Sequence, residues 1–227
     1  MLVKAEAVLS AAEVAYCVET LEAAPWVDGR VTAGPQSALA KNNLQIPQDA
    51  PQTRELGELV LRALGRHAVF NAAALPLRVY PPLFNRYDEG MAFGAHVDHA
   101  IRHVPNSPMR IRTDLSATIF LTAPEEYDGG ELVVQATYGE TRAKFAAGDM
   151  ALYPATSLHR VEPITRGSRW ASFFWIQSLV KDDSARTLLY DLDRGVAGAR
   201  AQLGDANETT LTLTAVYHNL LRRWSEI

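Results

Sequence analysis

The sequence predicts an α+β fold, with helices at both ends and an all-β core from about residue 75 to 180. Two observations predict it. Inside that span, short runs of β-branched and aromatic residues alternate with Gly, Pro and Asp, without helical patterns between them. Such spacing suits an antiparallel sandwich or barrel and not βαβ units. On either side of the span, apolar residues recur at the three- and four-residue intervals of helices.

Ser10-Ala11-Ala12-Glu13 forms a capping box, in which a hydroxyl and a carboxylate satisfy free N–H groups at a helix start. Val14, Cys17, Val18 and Leu21 then make one apolar stripe, and Pro25 stops the run. Residues 26–46, punctuated by Gly and Pro, read as strand and loop. Pro51 starts a second helix with Leu56, Leu59, Val60, Ala63 and Leu64 on one face. The expected strands are 77–87, 115–121, 131–135, 141–145, 149–153 and 170–178. Asp128-Gly129-Gly130 supplies a turn open to positive φ. Asp182 or Asp183 caps a helix to about residue 193, which Gly195 and Gly198 interrupt. Asn207 caps a last helix with Leu213, Val216, Tyr217, Leu220, Leu221 and Trp224 along one side. That stripe packs on its own barrel or makes a homo-oligomer through the C-terminal helices. The division is a core domain over 1–180 and a C-terminal helical extension over 181–227.

Composition narrows the class. A 227-residue chain buries about 70% of its unfolded surface, enough for a core without disulfides or structural metal. Ordinary composition excludes disordered, collagen-like and coiled-coil chains. The longest run free of Asp, Glu, Lys and Arg, 209–221, falls short of the ~20 apolar residues that span a bilayer. Nothing at the N-terminus reads as a signal peptide. The single Cys17 excludes an intramolecular disulfide and a multi-cysteine zinc site. A net charge of −4 lacks the basic footprint of a nucleic-acid binder. The expectation is a cytoplasmic, metabolic-type protein with neither nucleic-acid nor membrane partner.

Six histidines are present, and singly each reads as a surface or hydrogen-bonded core residue. Spacing changes that for two. In extended chain, residues i and i+2 share a face, so His96 and Asp98 present an imidazole and a carboxylate to one point. His159 follows a predicted strand and the turn at Pro154-Ala155-Thr156-Ser157, and approaches from a neighbouring strand. Two imidazoles and one carboxylate leave several metal positions open, the facial arrangement of non-haem Fe(II). Arg169, ten residues after His159 across Arg166-Gly167-Ser168, returns beside it in a hairpin with a guanidinium fork suited to a carboxylate. Tyr87 adds a phenolic hydroxyl. Parity along 169–177 places Arg169, Ala171, Phe173, Trp175 and Gln177 on one face, with Phe173 and Trp175 as pocket wall.

The chain here resembles the Fe(II)/2-oxoglutarate-dependent dioxygenases of the prolyl 4-hydroxylase type, and among them the bacterial PKHD-type hydroxylases. The resemblance is carried by Asn85-Arg86-Tyr87-x-x-Gly90-x-x-Phe93-x-x-His96-x-Asp98, Tyr127-Asp128-Gly129-Gly130-Glu131-Leu132 and Gly148-Asp149-Met150-Ala151-Leu152-Tyr153-Pro154. His159-Arg160-Val161 and Arg169-Trp170-Ala171-Ser172-Phe173-Phe174-Trp175 complete it. It implies a double-stranded β-helix (jelly roll) core carrying N-terminal helices and the C-terminal extension. It also implies catalytic iron on His96, Asp98 and His159, and 2-oxoglutarate on Arg169 with help from Tyr87. The implied reaction couples decarboxylation of 2-oxoglutarate to succinate with hydroxylation of a small-molecule or protein substrate, with L-ascorbate (vitamin C) as reductant and a link to iron uptake. One departure stands out: many relatives carry Ser two residues after the arginine, where this chain has Ala171, and Ser172 points the other way.

Residues 99–113 carry Arg102, His103, Arg110 and Arg112 and no acidic residue. They read as a solvated basic loop, with the sharper option that the three arginines attract an anionic substrate. His99 and His103, four apart without the Glu of a zinc-protease helix, read as non-ligands. Two other functions compete with the oxygenase: a non-catalytic iron/2-oxoglutarate sensor and a zinc hydrolase on a similar barrel.

Overall fold

The computed structural model describes residues 2–32 and 35–227. Its N-terminal part holds β1 (Val3–Ala5), α1 (Ala11–Glu22), β2 (Val27–Asp28), a 3-10 turn (Gly29–Thr32), α2 (Pro35–Ala40), β3 (Lys41–Asn42) and β4 (Leu44–Gln45). Helices α3 (Pro51–Arg66) and α4 (Ala68–Ala74) follow. The β core opens with β5 (Pro76–Val79), β6 (Leu83–Tyr87), β7 (Ala92–His96), β8 (Ile101–His103), β9 (Arg110–Arg112) and β10 (Leu115–Phe120). It continues through β11 (Asp128–Gly129), β12 (Leu132–Ala136), β13 (Gly139–Ala143), β14 (Met150–Pro154), β15 (His159–Val161), β16 (Ile164–Arg166) and β17 (Arg169–Ser178). Helices α5 (Asp183–Leu203) and α6 (Glu208–Trp224) close the chain.

Two antiparallel sheets form the α+β jelly roll. The larger runs β1-β14-β10-β17-β6-β4-β2 with β5 also on β17, and the smaller runs β13-β12-β15-β7-β3. Period-two alternation gives the larger sheet two different faces. Leu115, Ala117, Ile119, Met150, Leu152, Phe174 and Ile176 point to a core shared with Cys17 and Leu21 of α1, Leu56, Val60 and Leu64 of α3, and Phe70 of α4. The opposite parity sends Phe120, Ala151 and Tyr153 into the barrel, against Leu132, Val134, Ala143 and Val161 of the smaller sheet. Strands covered on both sides read as nearly continuous apolar runs, which is why β10 is buried at every position.

Local sequence explains most boundaries. Ser10 and Glu13 exchange both bonds of the capping box. Pro51 sits in the first turn of α3, Asp182 caps α5 and Asn207 caps α6. At the Gly129-Gly130 turn both φ are positive, and a Cβ on Gly129 would stand 2.0 Å from the Pro163 carbonyl oxygen, so only glycine fits.

Three expectations are corrected. Residues 26–46 include a 3-10 turn and α2 as well as short strands; 33 and 34 lie outside the described residues. The strand expected over 77–87 is two, β5 and β6, because Pro81 and Pro82 between them lack the N–H a ladder needs. Helix α5 passes through Gly195 and Gly198 without a break. A glycine costs roughly 1 kcal/mol in a helix interior, and burial of Leu189 and Val196 on the same helix outweighs it.

The C-terminal stripe packs within the chain. Tyr217, Leu220, Leu221 and Trp224 of α6 cover Val180, Ala185, Leu189 and Leu75, while Val216 stays 42% exposed. Two polar ties fasten the end: the Glu226 N–H donates to the Leu179 carbonyl at 2.7 Å, and Arg112 Nη1 donates to the Glu226 carboxylate at 3.0 Å. Leu189→Ala empties a fully buried position under this layer and is expected to cost about 3 kcal/mol, read as a lower urea midpoint at unchanged slope.

Candidate active site

The barrel interior opens into one cleft with about 740 Å³ of empty space including its solvent-facing mouth. Antiparallel pairing of β15 with β7 sets His159 opposite His96, and the two rings lie 4.2 Å apart between centroids. Asp98, two residues past the end of β7, brings a carboxylate oxygen to 3.7 Å from His159 Nε2. The three donor groups lie within 4.8 Å of one another.

Each donor is oriented by a partner behind it. His96 Nδ1 donates to the Gly94 carbonyl at 2.8 Å and His159 Nδ1 to the Ser157 carbonyl at 3.0 Å. Both Nε2 lone pairs are thereby left for a ligand. Ser116 Oγ donates to the Asp98 carboxylate at 2.6 Å. Phe93 stacks on the His96 ring at 3.6 Å. Burial, aided by neighbouring His159, holds His96 far below the ordinary imidazole value, at about 4, so it is neutral and metal-competent near pH 7. A set of two imidazoles and a carboxylate, all pre-oriented, fits a divalent first-row metal with positions left open.

Arg169 opens β17 opposite Tyr87 of β6. It is 2% exposed, and its guanidinium carbon stands 5.1 Å from the Phe120 ring centre and 5.5 Å from that of Tyr87. Its Nε and the Tyr127 hydroxyl are buried without hydrogen-bond partners, and no described acidic side chain pairs with the guanidinium. A buried cation left this way costs several kcal/mol unless an anion meets it. Burial raises Tyr87 to about 12, which keeps its hydroxyl a neutral donor.

His96, Asp98, His159, Arg169 and Tyr87 thus line one cleft, with Phe173 and Trp175 on its wall. The route to Arg169 differs from the expected hairpin. β15 belongs to the smaller sheet and β17 to the larger, because β16 between them pairs with β11 and carries the chain across. Arg169 therefore faces the histidines from the opposite wall. The Ser172 hydroxyl is buried without a partner on the far face of β17.

Residues 99–113 form a β8–β9 hairpin and not a loose loop. Its arginines divide. Arg102 lines the cleft, Arg110 is exposed, and Arg112 is held by Asp114 at 2.7 Å and by Glu226. Arg112 is therefore structural, since its charge is already neutralised. His99 lines the cleft without joining the donor cluster, and His103 does neither. Lys41, Gln45 and Ser116 also line it and were not singled out from sequence; Lys41 and Gln45 lie in two-residue strands whose pattern carries no signal.

The model of the 2OG-Fe(II) oxygenase superfamily matches residues 82–177, the stretch of the jelly roll that holds the triad and the buried arginine. The PKHD-type hydroxylase C-terminal domain model matches residues 183–226. PKHD-type hydroxylases from Gluconobacter oxydans and Methylobacterium nodulans are 64% and 62% identical, each across the whole of both chains. The chain belongs to the PKHD-type hydroxylases. Among solved structures, a Pseudomonas putida prolyl-4-hydroxylase shares the fold at 18% identity and TM-score 0.53, over 78% of this chain and 92% of that one. A 2OG-Fe(II) oxygenase family oxidoreductase from Burkholderia pseudomallei does so at 18% and 0.56, over 78% and 85%.

The depressed His96 value has a consequence for stability. An unfolded imidazole titrates near about 6.5, so the metal-free unfolded chain binds more protons than the folded one between that pH and about 4. The stability present above pH 6.5 is lost as pH falls through this window. The urea midpoint of metal-free protein is expected to drop as the pH falls through that window, and His96→Gln to flatten that part of the profile.

Proposed function

We propose that His96 and His159, through Nε2, and Asp98, through its carboxylate, hold Fe(II), and that Arg169 holds the distal carboxylate of 2-oxoglutarate with Tyr87 beside it. Bound Fe(II) and 2-oxoglutarate supply the chemistry by which O2 and decarboxylation to succinate yield a hydroxylated product. The observation that carries the residue roles is the buried Arg169, without a described acidic partner, in the cleft that also holds the triad.

The chain's own groups do the rest. Gly94 and Ser157 carbonyls fix the imidazole tautomers, and Ser116 fixes the Asp98 carboxylate. Phe120 and Tyr87 shield the guanidinium from water, which strengthens its attraction for a carboxylate. Ascorbate as the reductant that keeps iron ferrous, and cytoplasmic residence, belong to the same reading. Association of copies through α6 rests on exposed Leu211 and Val216.

Purified protein with Fe(II), 2-oxoglutarate and O2 is expected to release succinate slowly without added substrate. Arg169→Gln should raise the 2-oxoglutarate KM about thirtyfold or more, the cost of removing one member of a buried charge pair. His159→Ala should abolish Mn(II) binding by calorimetry. Turnover independent of 2-oxoglutarate, or a KM that Arg169→Gln leaves unmoved, would refute the assignment.

A further inference from the structure

The cleft carries more positive charge than the reading above uses. Its lining includes the cations Lys41, Arg102 and Arg169, and among its lining residues the carboxylate of Asp98 alone. On that reading, the two charges of Fe(II) are balanced by Asp98 and the keto-acid carboxylate, and Arg169 by the distal carboxylate. Arg102 is left over.

Arg102 is built into the wall and does not wave in solvent. Its guanidinium carbon lies 3.4 Å from the Trp175 ring centre and 5.7 Å from that of Tyr80, and these two rings brace each other edge to face at 5.5 Å. Its Nε is buried without a partner. A guanidinium stacked on an aromatic face keeps its N–H groups in plane, where they can grip a carboxylate. Lys41 Nζ stands 5.3 Å from the Phe93 ring and 5.9 Å from the Phe173 ring. Burial holds Lys41 down at about 8 and lowers Arg102, while Asp98 pulls both upward, so both cations sit within electrostatic reach of the triad.

Arg102 cannot duplicate Arg169. Trp175, which carries it, lies six residues along β17 from Arg169, about 20 Å of strand at the backbone. The two guanidiniums are therefore anchored at different points along β17. Position is secured from behind, since β9 pairs with β8 and Arg112 of β9 is tied to Asp114 and Glu226.

We propose that Arg102, seated on Trp175 and Tyr80, is a second anion subsite that receives a carboxylate of the molecule to be hydroxylated. The substrate class is then an organic acid with a short apolar body against Phe173 and Trp175, either a free small acid or an acidic side chain. This rests on the assignment of the triad and Arg169 made above.

The test uses full-length protein loaded with Mn(II) and saturating 2-oxoglutarate, read by calorimetry. One arm compares malate with malamide; the other compares N-acetyl-aspartyl-methylamide with N-acetyl-asparaginyl-methylamide. The acid is expected to bind about tenfold or more tightly than its amide in at least one arm, and that arm identifies the source. Arg102→Gln should erase the preference, and Arg102→Lys, which keeps charge and stem as a control for folding, should retain part of it. Acids binding no better than amides, or a preference that survives in Arg102→Gln, overturns the subsite while leaving 2-oxoglutarate binding intact. Failure of 2-oxoglutarate itself to bind the Mn(II)-loaded protein overturns the assignment beneath it as well.

Discussion

Antiparallel pairing of β15 with β7 is the constraint on which the site depends. It sets His159 opposite His96 across one ladder, with each ring turned by a carbonyl two residues earlier in its own chain. Sheet geometry separates facing residues by about 5 Å, so two imidazoles on one face must converge. Asp98 then has only to leave the strand end and take a hydroxyl from Ser116, a residue of β10 in the other sheet. The triad thus ties both sheets together at the mouth of the barrel.

The interior of that barrel contradicts ordinary burial rules. Apolar side chains from both sheets fill its closed end, yet a guanidinium, two imidazoles and a carboxylate share the remaining space. Charges in such a place are costly unless compensated. The Nε groups of Arg169 and Arg102 are buried without a partner, and on the reading proposed above this is the price of a cavity shaped for anions. The apolar contacts of the helix-facing side, from Cys17 through Phe174, supply the stability that tolerates it.

The C-terminal helices do more than cap the fold. Their apolar layer rests on Val180 and Leu75, at the end of β17 and the start of β5. Glu226, just past the end of α6, reaches Arg112 in the hairpin that carries Arg102. A continuous path of packing and ion pairs therefore runs from α6 to the cleft wall, which gives the extension a physical means of holding the hairpin in register.

Residue order alone marked the starts of α1 and α6, because Ser10 and Asn207 act on N–H groups within a few residues of themselves, and it narrowed the cap of α5 to Asp182 or Asp183. It also determined the strand parity of β17 and the His-x-Asp spacing, which are period-two properties of extended chain. Local signals failed where a neighbour distant in sequence decides. Gly195 and Gly198 remain helical because buried residues on the same helix anchor it, and Lys41 enters the cleft because β3 pairs with β7. Tertiary structure alone placed Arg169 on the wall facing His159 and not beside it, since the choice of partner for β16 is made by β11, nearly forty residues away. It alone separated Arg112, neutralised by Asp114 and Glu226, from Arg102, left facing the cleft. Backbone preferences act over a turn or a strand; which charge is buried and which is balanced depends on what the folded sheets bring opposite it.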